Sequence, residues 1–223
     1  MWRDERGMAL VLVLLCATLF LALSGALVTV VSTESAVSAT FREGAAALSA
    51  AEAAAIRTFA DLAVATDLNP VLGGSVASSF RDGPAAAPRR LPDGTMLDLA
   101  AATNLEQCGA ATCTEDQMNA VTPERPWGAN NARWQLYASG WLRDVVPQPI
   151  EAPNLYVVVW VGDDPLETDG NPLADAADVH APGHDAVLLR AAAYGAYSVR
   201  RRIEIVARRW DGVVRLASWR ELR

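Results

Sequence analysis

Residues 8–33 read MALVLVLLCATLFLALSGALVTVVST, 26 positions without a charge, opening directly after Arg6-Gly7. At a rise of about 1.5 Å per residue such a helix reaches about 39 Å, beyond the roughly 30 Å of bilayer hydrocarbon. This predicts a membrane-spanning helix over 8–33. A secretory signal peptide shares the order of basic then apolar residues, and Ser24-Gly25-Ala26 could serve as its cleavage site. Its apolar core normally covers only about 7–15 residues, however, and here the chain runs on to Leu68 without a proline.

The continuation, 34–68, is amphipathic. Phe41, Ala45, Leu48, Ala55, Phe59 and Leu62 recur at three- and four-residue steps, while Arg42, Glu43, Glu52, Arg57 and Asp61 populate the remainder. That spacing places the first set on one helix face, which needs a partner. Alanine fills much of 45–65; it is the best helix former and permits close approach of neighbouring elements. The expected stop is Asp67-Leu68-Asn69-Pro70 followed by Gly73-Gly74, because the residue before proline avoids helical geometry.

These residues carry a resemblance to the type IV pilin superfamily. Arg6-Gly7-Met8-Ala9-Leu10 resembles a prepilin processing site, with residues 1–7 as leader and Met8 as the mature, methylated N-terminus. Together with Glu34 and with Leu48-Ser49-Ala50-Ala51-Glu52-Ala53-Ala54-Ala55, the segment is similar to the N-terminal region of PilX-type minor pilins. The resemblance covers about residues 1–65. It implies an α+β, pilin-like fold in which a long N-terminal helix, half transmembrane and half amphipathic, packs on an antiparallel β-sheet. It also implies a bacterial inner-membrane protein, single-pass with its C-terminal domain periplasmic, that enters a pilus. Prepilin peptidase, inner-membrane lipid, the major pilin and companion minor pilins would be its partners.

One departure matters. Major pilins carry glutamate at the fifth mature position, where this chain has Leu12. A glutamate in hydrocarbon is costly unless paired, and in the filament it is thought to pair with a neighbour's N-terminal amine. Its absence resembles certain minor subunits, including type II secretion pseudopilins of the GspK type, and implies a subunit that primes or caps assembly at or near the tip. The plainer alternative is that Leu12 belongs to an ordinary anchor.

Charge adds little to orientation. Arg3 and Arg6 precede the span but Asp4 and Glu5 cancel them; the arginine count favours a cytoplasmic N-terminus. The whole chain has 19 basic residues, all arginine, against 26 acidic ones, a net charge of -7. That acidity argues against general nucleic-acid affinity. Residues 190–223 nevertheless hold nine arginines against Glu204, Asp211 and Glu221. A solvated strand face is the plainer reading of Arg200, Arg202, Arg208 and Arg215; a tip module for an anionic partner such as DNA is the other. Trp210 and Trp219 are expected in the core.

Residues 69–126 are rich in Gly, Pro, Ala and Asp and read as an irregular connecting region with one short helix near Glu115–Ala120. Cys108 and Cys113 enclose four small residues and could close a disulfide in an oxidising compartment, whereas Cys16 lies in the span. The 127–223 region reads as an antiparallel sheet, with strands over Arg133–Leu142, Leu155–Val161, Ala186–Tyr194, Arg200–Trp210 and Gly212–Trp219. Leu155–Val161 is apolar on both faces and suits a central strand, while Asp211-Gly212 signals a two-residue hairpin.

The loop Asp163–Asp175 concentrates hard oxygen donors. Asp163, Glu167, Asp169, Asn171 and Asp175 could ligate calcium around the Gly170 turn. The spacing is not that of an EF-hand, and hairpin loops collect such residues for turn geometry alone, so a solvated loop is the competing reading. His180 and His184 are four apart, but Pro182-Gly183 makes the helix that would align them on a metal improbable. No catalytic or phosphate-binding motif occurs; neither an enzyme nor a small-molecule substrate is expected.

Overall fold

The computed structural model describes residues 6–145 and 154–222. The chain divides into two compact units, one ending at Arg42 and one beginning at Glu43. Most of the leader, residues 1–5, lies outside the described residues. Helix α1 runs Arg6–Val64, 59 residues, so Gly7 and Met8 fall in its first turn. The fold is α+β, a long N-terminal apolar helix and a five-stranded antiparallel sheet.

In the first unit the side chains of residues 8–38 are exposed throughout. Leu12 is 65% and Phe20 68% exposed, values belonging to surface although both residues are apolar. From Glu43 onward α1 changes character. Ala47, Ala50, Ala51, Ala54, Ala55, Thr58 and Leu62 form a buried stripe at helical spacing. This stripe shifts the face expected from the larger residues. Ala55 and Leu62 lie in it, Leu48 and Phe59 are partly buried at its margin, but Ala45 is exposed and Phe41 is 75% exposed. The physical reason is size: a row of methyl groups lets the helix axis approach the sheet closely, so alanines take the centre and bulkier side chains the flanks.

The sheet orders its strands as they occur in the chain, β3-β4-β5-β6-β7, each antiparallel to the next. They comprise β3 (Gln135–Trp141), β4 (Tyr156–Asp163), β5 (Ala186–Tyr194), β6 (Arg200–Trp210) and β7 (Val213–Leu222). All eight residues of β4 are buried. Val157, Val159 and Val161 face the α1 stripe with Leu189, Ile203 and Ile205. Tyr156, Val158 and Trp160 point to the opposite side, against Leu99 and Ala102. The β6–β7 turn has Asp211 at φ 51° and Gly212 at φ 72°, both left-handed, as a type I′ hairpin requires.

The connecting region is more ordered than its composition suggests. It holds α2 (Asn69–Leu72), a small ribbon of β1 (Arg89–Arg90) and β2 (Met96–Leu97), α3 (Leu99–Cys108) and α4 (Glu115–Met118). Asp98 caps α3, accepting from the Ala100 and Ala101 amides, and Gly109 at φ 77° ends it. Leu99, Ala102 and Glu106 share the buried face of α3. The central strands of the sheet are therefore covered on both sides, which is why β4 has no wet face. A final element, α5 (Leu142–Val145), follows β3 directly.

Candidate functional site

Two groups of buried carboxylates stand out in the second unit. The first is the β4–β5 connection. Asp163 ends β4 and Glu167 closes a 3-10 turn over Pro165–Glu167; they are 3% and 5% exposed. Thr168 and Gly170 take left-handed φ of 51° and 77° and turn the chain so that Asp169 comes back. Ligand oxygens of Asp163, Glu167 and Asp169 all lie within 4.8 Å of one another. Gly183, at φ 98°, sits over Glu167: a Cβ there would come to 2.8 Å of its Cγ.

The hydrogen bonding around this loop sorts its acids into two kinds. Asp164 accepts from the Leu166 amide, Asp169 from the Asn171 amide and Asp178 from the His180 amide, the local turns such residues favour. Asp163 Oδ1 and both Glu167 oxygens are buried without a hydrogen-bond partner. Burial, then repulsion from Glu167, Asp169 and Asp175, pushes the Asp163 carboxyl up to about 8. Burial and the facing Asp175 carboxylate push Glu167 up to about 8 as well. Asn171 is exposed. Asp175 accepts from the Asp185 amide at 2.9 Å and faces His184 at 3.4 Å.

The histidines do not converge. His180 is exposed, while His184 Nδ1 lies 2.8 Å from the Ala176 carbonyl oxygen. Among the described residues the group there is Asp175, His184 and Asp185, and Asp185 already accepts from the Arg209 guanidinium at 3.0 Å. This second group is satisfied from within.

On the other side of the molecule the arginine-rich segment is largely spent on internal carboxylates. Glu106 of α3 is 4% exposed and receives Arg190 at 3.1 Å, Arg200 at 3.0 Å and Arg202 at 3.2 Å. Glu204, 6% exposed, receives Arg190 at 2.8 Å and the Arg220 Nε at 2.8 Å. Arg190 also stacks on Trp134, 4.2 Å from the ring centroid. Adding Arg201 on Glu221 and Arg209 on Asp185, six of the nine arginines between 190 and 223 hold acidic side chains of the same chain. A cleft of about 750 Å³ opens beside them, lined by Arg125, Trp127, Arg190, Arg202, Arg220 and Leu222. Trp210 and Trp219, expected inside, are 62% and 43% exposed; β7 forms the sheet edge, and among the described residues it is exposed along most of its length.

Glu106 escaped sequence reading. Its usable signals were the local arginine excess, which needed internal acids, and its position seven residues after Leu99 on the apolar face of α3. Cys108 and Cys113 form a disulfide, with Cα atoms 5.9 Å apart, that closes the loop after that helix. Cys16 is a free thiol on the exposed apolar segment. Among the described residues one helical stretch, starting at Met8, is long and apolar enough to cross a membrane. No family model, curated protein or solved structure matches this chain.

Proposed function

We propose that this chain is a minor subunit of a type IV pilin-like filament that primes or caps assembly, anchored in the bacterial inner membrane by residues 8–33 with its sheet domain periplasmic. The observation that carries this reading is the contrast within α1. The helix covers its own alanine stripe with the sheet, yet leaves Leu12, Phe20, Leu27 and the other large residues of its first half uncovered. Apolar surface of that extent requires lipid or other helices. In this mechanism the segment rests in the bilayer and, on extraction, exchanges acyl chains for the helices of the major pilin and companion minor pilins. Leu12, in the position where major pilins have glutamate, favours a place at the filament end. A minor pseudopilin of the GspK type serves the same chemistry in a secretion system.

The proposal includes cleavage after Gly7 by prepilin peptidase and methylation of Met8. Intact mass spectrometry of the membrane-extracted protein, with and without the peptidase, tests it. Loss of residues 1–7 plus one methyl group is expected, and Gly7→Leu should retain the leader. A native chain that keeps residues 1–7 and is absent from sheared filaments overturns the reading. An anionic partner such as DNA is not favoured, since Arg190, Arg200, Arg202 and Arg220 are engaged with Glu106 and Glu204. Enzymatic activity and a small-molecule substrate form no part of the proposal.

A further inference from the structure

We propose that the free edge of β7 docks an extended acidic segment of a different protein, which continues the sheet by backbone hydrogen bonds and meets Arg208 and Arg215 with its carboxylates. The two edges of the sheet are finished differently. Along β3 the chain closes the edge itself: the Ser78 and Asp82 amides donate to the Tyr137 and Ser139 carbonyls, and the Ser139 amide donates to the Phe80 carbonyl. Along β7, 10 residues with neither proline nor glycine, the outer side lies open among the described residues. An edge of that length is a template for another chain unless proline, lysine or a short strand blunts it.

The register fixes what the incoming strand must carry. Ile203, Ile205 and Ala207 of β6 face the α1 stripe, so Trp219 opposite Ile205 and Leu216 opposite Ala207 lie on that side as well. A bulge at Ala217 brings both there, and both are exposed. Val206 packs on the α3 side. Arg208 and Trp210 follow it on that face, directly opposite Arg215 and Val213, and all four are exposed. Like charges in direct opposition destabilise a ladder. Arg201, Arg209 and Arg220 hold Glu221, Asp185 and Glu204; among the described residues Arg208 and Arg215 form no such ion pair, and Arg208 acts on Asp164 only through space. The partner strand therefore presents carboxylates on the α3 side and apolar residues towards Leu216 and Trp219. A second copy does not supply this. The α3 side of β7 carries Arg215 and Arg220 without an acid, because Glu221, opposite Ile203, lies on the other side, so two β7 strands would set arginine against arginine. A nucleic acid brings negative charge but no amides to extend the ladder.

The test uses the full chain in detergent micelles and a fluorescent synthetic peptide, as long as β7, of alternating glutamate and valine. Anisotropy should show saturable binding at low ionic strength. The same peptide with alternate backbone amides N-methylated keeps its charges and side chains but cannot continue the ladder, and should bind at least about tenfold more weakly. A peptide with lysine in place of glutamate should not bind, and the Arg208→Glu/Arg215→Glu double variant should reverse that preference. Arg215→Glu alone separates docking from a structural role, because it sets an opposite charge against Arg208. Its Tm should rise by about 1–4 °C while its affinity for the glutamate peptide falls about tenfold. No binding by the wild type, equal affinity for the N-methylated peptide, or tighter binding of a thymidine oligonucleotide of equal charge would overturn the proposal. So would a Ser218→Cys disulfide forming between two copies without peptide, which would assign the edge to self-pairing. Leader cleavage does not enter these readouts, so the docking edge stands or falls separately from the pilin reading.

Discussion

Glu106 and Asp163 are both carboxylates in almost complete burial, 4% and 3% exposed, yet the fold treats them in opposite ways. Around Glu106 it gathers three guanidinium groups from β5 and β6, and Arg190 bridges on to Glu204. Around Asp163 it gathers more negative charge, Glu167, Asp169 and Asp175. Burial alone costs each carboxylate several kcal/mol. The first cluster is neutralised by its own chain, whereas in the second the carboxyls of Asp163 and Glu167 are pushed up to about 8. The difference separates a structural network from a candidate binding site more sharply than composition could, since both segments are simply rich in charged residues.

The largest effect should come from breaking the self-contained cluster. Glu106→Gln leaves Arg190, Arg200 and Arg202 facing a neutral amide and should cost about 3–5 kcal/mol of unfolding free energy, as removal of one partner from a buried charge network does. Urea denaturation followed by tryptophan fluorescence measures it. A loss below about 1 kcal/mol would mean that the arginines relax into solvent, and the contrast with Asp163 would fail.

The opposite sign is expected at the second cluster. In metal-free protein at pH 9, above the raised value of about 8, Glu167→Gln removes a buried, uncompensated charge and should stabilise the fold by about 1–3 kcal/mol. The pH dependence follows from the same groups. Asp163 and Glu167 titrate ordinarily at 3.8 and 4.5 and are pushed up to about 8 in the fold by burial and by Asp169 and Asp175. Between those values the native state holds more protons than the unfolded chain. Unfolding free energy in EDTA should therefore fall as pH rises from about 4 to about 8, and this loss is absent below the lower values. Stability that rises across this window, with Glu167→Gln leaving the slope unchanged, would show that neither carboxyl is perturbed.

The contrast also marks where the sequence was legible. The five strands could be read because alternation, branched residues and turn chemistry are local; β5 and β6 fall on their expected limits, and Asp211-Gly212 makes the expected turn. The long apolar N-terminal helix and its extension could be read for the same reason. Helix α3 could not: its alanines and short length hide in a Gly- and Pro-rich stretch, and only the apolar second face of β4 hinted that something covers it. The α1 contact face was legible in part: Ala55 and Leu62 lie on it with Leu48 and Phe59 at its margin, but large residues dominate a periodicity count, whereas close approach is set by the small ones, Ala47, Ala51 and Ala54. In the acidic loop the residue types were legible but not their surroundings: burial separates Asp163 and Glu167 from the exposed Asp169, and the bond accepted from the Leu166 amide separates the equally buried Asp164. The Glu106 pairings join residues 84–96 positions apart, beyond the reach of any local pattern.

The smallest expected effect separates burial from mere pairing. Arg201 meets Glu221 at 3.2 Å across β6 and β7, but their side chains remain 47% and 36% exposed. Water screens both charges with or without the partner, and holding two long side chains together costs rotamer entropy. Glu221→Gln should therefore change unfolding free energy by only about 0.2–1 kcal/mol, and most of that should vanish at 1 M salt, where the screening length is about 3 Å. Glu106→Gln should keep more of its effect at the same ionic strength, because the Glu106 side chain is only 1% exposed, although Arg200 and Arg202 remain 36% and 29% exposed. Parallel denaturation of the two variants at low and high salt reads the comparison directly. Equal salt sensitivity would show that the Glu106 network is solvated, and that its arginines stand closer to an exposed basic surface than to a core.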